Sequence, residues 1–169
     1  NTPAFFILDK PINPGEQAEL QLSFKKRLFV DEDFESFETQ HLIPDLWWDG
    51  ITVSNSYKVK VDTDQKLTMA VSGRLNEETG YYENNHAKDF GFYFSRKDKV
   101  IQEEADGVLV RVLYPADGKK VAELAMETAK EAIPFYIDFM GFYPYSFINI
   151  IPGGPGVWGG YPFASGMVV

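Results

Sequence analysis

The last 28 residues of the chain, 142–169, contain no lysine, arginine, aspartate or glutamate; all 16 basic and 25 acidic side chains lie before them. A neutral stretch of this length suggests a transmembrane helix. Six glycines and four prolines (Pro144, Pro152, Pro155, Pro162) exclude that, because no apolar run of roughly 18 residues survives between them. The pattern instead predicts a buried-type strand at 146–151, a glycine- and proline-rich loop at 152–160, and a last strand starting near 163. Such a segment needs a neighbour to shield it. The chain opens at Asn1 with no charged-then-apolar leader and closes on Met167-Val168-Val169. The expectation is therefore a piece cut from a longer protein, with self-association through the apolar tail when its neighbour is missing.

Composition removes several function classes. With no cysteine, neither a disulfide scaffold nor a thiolate nucleophile or cluster is available, and the chain fits cytoplasm or periplasm alike. With only His41 and His86, a multi-histidine zinc site is excluded. A net charge of −9 argues against nucleic acid as a partner, since phosphate recognition calls for a basic stripe. A hydrophobic content of 44% and an aromatic content of 15% supply enough material for a globular core.

Residues 1–113 read as β structure. Ala18, Leu20, Leu22 and Phe24 alternate with polar residues and share one face of an expected strand at 18–24. The segments 57–61 and 67–71 alternate too, and Asp62-Thr63-Asp64-Gln65 between them predicts a hairpin. Further strands are expected at 5–8, 81–84, 89–95, 99–103 and 108–114. Asn13-Pro14-Gly15 has the chemistry of a turn. The character changes at Pro115. Asp117 is a candidate cap for a helix running to about Met140, with Gly141 ending it. Val121, Leu124, Ala125, Thr128, Ala132, Phe135 and Phe139 follow three-and-four spacing, which predicts their burial. Pro134 should kink this helix or divide it. The expected class is α+β: an antiparallel β-sandwich or sheet module over 1–114, then a helix–strand–loop–strand segment over 115–169.

Few residues carry a chemical signal. His41 and His86 each stand alone, and H-E-x-x-H is absent, so both read as loop imidazoles. The acidic cluster Asp31, Glu32, Asp33, Glu35 and Glu38, like Glu77-Glu78 and Glu103-Glu104, lacks both calcium-loop spacing and a cleft that holds two carboxyls apart. These read as solvated loops or edge strands. Phe90, Phe92 and Phe94 alternate and belong in a core. Trp47-Trp48 reads as packing at a sheet corner, and with Tyr81-Tyr82 it is the material of a sugar or protein platform. Phe163-Ala164-Ser165-Gly166 is half of a nucleophile elbow, and Pro152-Gly153-Gly154-Pro155-Gly156 lacks the helix and lysine of a phosphate loop.

In order, the tail runs helix, Phe-x-x-Pro-Tyr, apolar strand, glycine-rich loop, Gly-Gly-aromatic, apolar strand. This order resembles the gluzincin aminopeptidases of the M1 family. The stretch similar to the family's Gly-x-Met-Glu-Asn loop is Val157-Trp158-Gly159-Gly160-Tyr161-Pro162-Phe163-Ala164-Ser165-Gly166. Upstream, Leu8-Asp9-Lys10-Pro11-Ile12-Asn13-Pro14-Gly15 resembles the family's linker ahead of a strand of its β domain. Pro44-Asp45-Leu46-Trp47 and Ala87-Lys88-Asp89-Phe90, followed by Ser95, are similar to later segments of that domain.

The resemblance implies that 1–114 is the C-terminal part of a β domain and 115–169 the start of a thermolysin-like catalytic domain. Gly159, Gly160 and Tyr161 are then the substrate-binding candidates, their backbone pairing with an extended peptide. No catalytic residue or metal ligand is assigned within this chain. Zinc is expected in the full-length parent, on an H-E-x-x-H beyond Val169, so the isolated chain would be inactive. The implied partners are a peptide substrate and the remainder of the catalytic domain. One departure matters: Tyr161 or Pro162 stands nearest the family's loop glutamate, and neither supplies an anion for a substrate amine. The alternatives are a non-catalytic β-rich binding or adhesion module and a pseudo-peptidase scaffold.

Overall fold

A computed structural model describes residues 9–19, 21, 23, 36–39, 55–63, 66–87, 90–152, 162–164 and 166–168. The strand expected at 5–8 lies outside these residues. So do Leu20, Leu22 and Phe24 of the strand expected at 18–24, whose remaining residues Ala18, Glu19, Gln21 and Ser23 are exposed and belong to no strand. The described elements are β1 (Ser36–Thr39), β2 (Asn55–Val59), β3 (Thr68–Val71), β4 (Arg74–Asn76), β5 (Tyr81–Ala87), β6 (Phe92–Ser95), β7 (Lys99–Ala105), β8 (Val108–Tyr114), α1 (Lys119–Met140), β9 (Phe147–Ile150), β10 (Pro162–Ala164) and β11 (Met167–Val168). The fold is α+β, as the sequence predicts.

These strands form three sheets, ordered β1-β6-β3, β2-β5-β4 and β10-β11-β9-β8-β7. All pairs before residue 114 are antiparallel, whereas β8 and β9 run parallel, as do β9 and β11. Parallel neighbours need a long crossover, and α1 is that crossover between β8 and β9. β8 reads Val108-Leu109-Val110-Arg111-Val112-Leu113-Tyr114, a near-continuous apolar run that suits a strand covered on both faces. The five-stranded sheet thus takes strands from both sides of residue 114, where the sequence changes character.

Among the described residues, three apolar clusters hold the sheets together. Val71, Phe90, Phe92 and Phe94 are buried between the two three-stranded sheets, with Tyr57, Val59 and Met69 packed against them. Ala70, Tyr93, Leu113 and Ile151 join the β1-β6-β3 sheet to one face of the large sheet. On the other face of the large sheet, Val108, Val110 and Val112 meet Ala122, Met126, Ala129 and Ile133 of α1.

Several local expectations change. The segments 57–61 and 67–71 do not form a hairpin: β2 pairs with β5, and β3 pairs with β6. Alternation specifies which face of a strand is buried but not its partner, and both strands turn their apolar side to the same phenylalanine cluster. Gly118, not Asp117, occupies the N-terminal cap of α1, and no side chain caps it. A turn in which Gly118 N–H donates to the Pro115 carbonyl (2.9 Å) leads into the helix instead. Pro134 does not divide α1, which stays helical over 22 residues. Pro134 and Lys130 are both exposed, so the Lys130 carbonyl that loses its partner N–H is open to water.

The buried face of α1 also differs from the one expected. Val121 is 72% exposed, Leu124 62%, Phe135 62% and Phe139 76%. The sheet-facing stripe is Ala122, Met126, Ala129 and Ile133. Both stripes have helical spacing. The small alanines let the helix axis approach the valines of β8, which the bulkier stripe would hold away. Two turns agree with expectation. Gly15 has φ +87° and Glu16 N–H donates to the Asn13 carbonyl (3.0 Å). Gly141 ends α1 in the left-handed region, its N–H on the Ile137 carbonyl.

Candidate functional site

Gly159, Gly160 and Tyr161 lie outside the described residues, as do Ser165, His41 and Trp47-Trp48. The described structure resumes at Pro162 with β10, which pairs with β11 and is the outermost described strand of the large sheet. Gly166 makes this arrangement sterically feasible. It has φ +77°, and a Cβ there would meet Phe147 Cε2 at 2.4 Å. Its carbonyl accepts from Asn149 N–H (2.8 Å), and the Val168 carbonyl accepts from Ile151 N–H (2.9 Å), which docks β11 onto β9. The glycine therefore lets the outer strands close over a buried phenylalanine.

Two concave regions flank the large sheet. On the helix side, an apolar groove of about 500 Å³ runs between α1 and β9, lined by Leu124, Ala125, Ala132, Tyr136, Ile148 and Ile150 among others. Tyr143 also lines it, and burial, followed by the neighbouring Tyr145, raises its hydroxyl pKa above the ordinary value of 10.0. On the opposite face, a cavity of about 660 Å³ lies between the β4–β5 hairpin and strands β7, β8 and β9. Arg74, Arg111, Asn149, Gln102, Tyr82 and the glutamates Glu77, Glu103 and Glu104 supply its polar groups, and Leu75, Leu109 and Phe147 its apolar wall.

Arg111 and Asn149 stand opposite each other in the β8–β9 register. Asn149 is 1% exposed. Its Nδ2 donates to the Val71 carbonyl (3.0 Å), which turns its Oδ1 towards Arg111, and Arg111 Nη1 donates to it (3.1 Å). Burial lowers the pKa of the Arg111 guanidinium from its usual value, and nearby Tyr82 partly opposes that shift. Sequence reasoning passed over both residues. Their signal is compositional: Arg111 is the only charge within β8, and Asn149 the only amide within Phe147-Ile148-Asn149-Ile150.

The other candidates fall in ordinary places. Phe90, Phe92 and Phe94 are core residues, and His86 is exposed on β5. Glu103 pairs with Lys130, Glu104 with Arg74 (3.4 Å), and Tyr81 carries Lys58 over its ring at 4.8 Å. The backbone of Glu38 lies in β1, at the outside of its sheet. Among the described residues no helix is long and apolar enough to cross a membrane. No protein-family model matches the chain, and no curated protein matches it.

Proposed function

We propose that this chain is part of a gluzincin-type zinc metallopeptidase related to the M1 family, supplying a β domain and a substrate-edge strand rather than the metal. The observation that carries this is β10, outermost of the described strands in the mixed sheet and directly following Gly159-Gly160-Tyr161 in sequence. An outermost strand offers a row of backbone N–H and C=O groups, and an extended peptide pairs with such a row by strand addition. Glycines in the segment that precedes β10 in sequence would let a second backbone come close, because no Cβ stands between. The succession α1, β9, β10 also agrees with the order helix, strand, strand on which the resemblance rests.

Among the described residues, no group of three or more His, Cys, Asp and Glu side chains is arranged to hold a metal. The resemblance implies zinc on an H-E-x-x-H elsewhere in the parent chain, where it would activate water for peptide hydrolysis. The residues of this chain bind and orient the substrate backbone; they do not cleave it.

The test is hydrolysis of extended peptides by the parent protein, with and without a chelator. Expected are loss of activity on chelation, recovery with zinc, and a Gly160→Val variant with kcat/KM lowered about 10²-fold. A parent that lacks both H-E-x-x-H and chelator-sensitive hydrolysis overturns the metallopeptidase assignment. Unchanged kinetics in Gly160→Val overturns the role of the edge.

A further inference from the structure

We propose that the cavity between the β4–β5 hairpin and the face of β7, β8 and β9 opposite α1 binds a small amphoteric molecule, an amino acid or short peptide, whose carboxylate docks on Arg111. This stands independently of the peptidase proposal, since it uses a different part of the sheet.

The first support is the state of Arg111. A guanidinium has five N–H donors in a planar fork. In this structure one of them meets Asn149 Oδ1 at 3.1 Å, and none of the ion pairs among the described residues includes Arg111. A half-buried cation whose described partner is a neutral amide is incompletely compensated for the water it has lost. A carboxylate completes it, because its two oxygens match the fork of the guanidinium.

The second support is that the arginine is held in place. Asn149 is buried, and the donation of its Nδ2 to Val71 fixes which way its oxygen faces. That oxygen orients Arg111, so the guanidinium is positioned before any ligand arrives. Preorganisation of this kind lowers the entropy cost of binding.

The third support concerns the remaining lining. Three carboxylates, Glu77, Glu103 and Glu104, also border the cavity and outnumber its second arginine, Arg74, although Glu103 pairs with Lys130 of α1 and Glu104 with Arg74. They disfavour a doubly charged anion such as phosphate, and they suit a ligand whose positive group stands apart from its carboxylate. Glu77 is exposed, while Glu104 is held by Arg74 only in an exposed pair at 3.4 Å, the kind that contributes little by itself. Tyr82, Leu109 and Phe147 give apolar wall between the two charged ends. A volume of about 660 Å³ accommodates an amino acid or a dipeptide.

The experiment is calorimetric titration of the protein with glycylglycine, its C-terminal amide, its N-acetyl form, and inorganic phosphate. Glycylglycine is expected to bind about tenfold more tightly than the amide, which lacks the carboxylate. Arg111→Gln keeps a donor for Asn149 and is expected to abolish that difference, whereas Val121→Ala, at an exposed position of α1 on the other face of the sheet, leaves it intact. Glu77→Gln, a surface change, is expected to weaken glycylglycine but not its N-acetyl form. No binding of glycylglycine overturns the proposal, as does equal affinity for acid and amide, or tighter binding of phosphate. A preference for the acid that survives in Arg111→Gln also overturns it. Should that variant fail to fold, the comparison of acid and amide on the unaltered protein decides.

Discussion

Asn149 Nδ2 donates a hydrogen bond to the carbonyl oxygen of Val71 at 3.0 Å, joining β9 of the large sheet to β3 across 78 positions of sequence. Both residues are buried, at 1% and 0% exposure. Replacing Asn149 by leucine keeps most of the volume but takes one of two donors from the Val71 carbonyl, which keeps the Gly73 N–H at 2.7 Å, and removes the acceptor facing Arg111. The expected loss is about 1–3 kcal/mol, since two hydrogen bonds are lost and the partly buried Arg111 guanidinium loses its described acceptor. Urea unfolding checks this: the midpoint should fall with the slope unchanged.

Gly166 faces Phe147 where no side chain fits. Gly166→Ala combines a positive φ with a 2.4 Å approach to the phenylalanine ring. About 2 kcal/mol or more of stability should be lost. Hydrogen exchange should locate the effect, with the Asn149 and Ile151 amides, which bond to Gly166 and Val168, losing protection first. Gly80→Ala is a useful comparison. It shares the positive φ (+71°) but has open space around it, so only the backbone strain remains.

The two stripes of α1 should respond differently to truncation in the 169-residue chain. Met126 is 3% exposed and sits among the valines of β8. Met126→Ala is expected to cost about 2–4 kcal/mol by leaving a cavity. Leu124 is 62% exposed, so Leu124→Ala should change stability by less than about 0.5 kcal/mol. Thermal unfolding of both variants separates the faces. Equal losses would mean that the exposed stripe is covered in solution.

Tyr143 makes stability depend on pH at the alkaline end. Its hydroxyl pKa is raised above 10.0 in the folded chain, chiefly by burial and next by Tyr145. Below pH 10 the tyrosine is neutral in both states and its contribution is complete. Above that, the unfolded chain ionises while the folded one resists, so stability falls as the pH climbs through the folded value. Tyr143→Phe should flatten the decline above about pH 10. Unfolding midpoints measured from pH 8 to 11 provide the comparison.

Much of the fold was legible because it rests on local rules. β8 falls where its apolar run lies, Gly141 ends α1, and Gly15 makes the turn after Asn13. Phe90, Phe92 and Phe94 alternate into the core as their spacing requires. What was not legible involved a choice between equivalent partners. Two strands at hairpin distance pair elsewhere, and two stripes of helical spacing compete for one sheet. Periodicity has no means of ranking them.

The sequence by itself determined the kinds of element, the uncharged run after Asp138, and the absence of thiol chemistry, because these follow from side-chain chemistry and spacing along the chain. Only the tertiary structure decided which face of α1 is buried, that β8 and β9 lie parallel, and that Arg111 meets Asn149. Such facts depend on contacts between residues far apart in sequence. Their energies exist only when a particular packing brings the atoms within reach, and no local pattern encodes that distance.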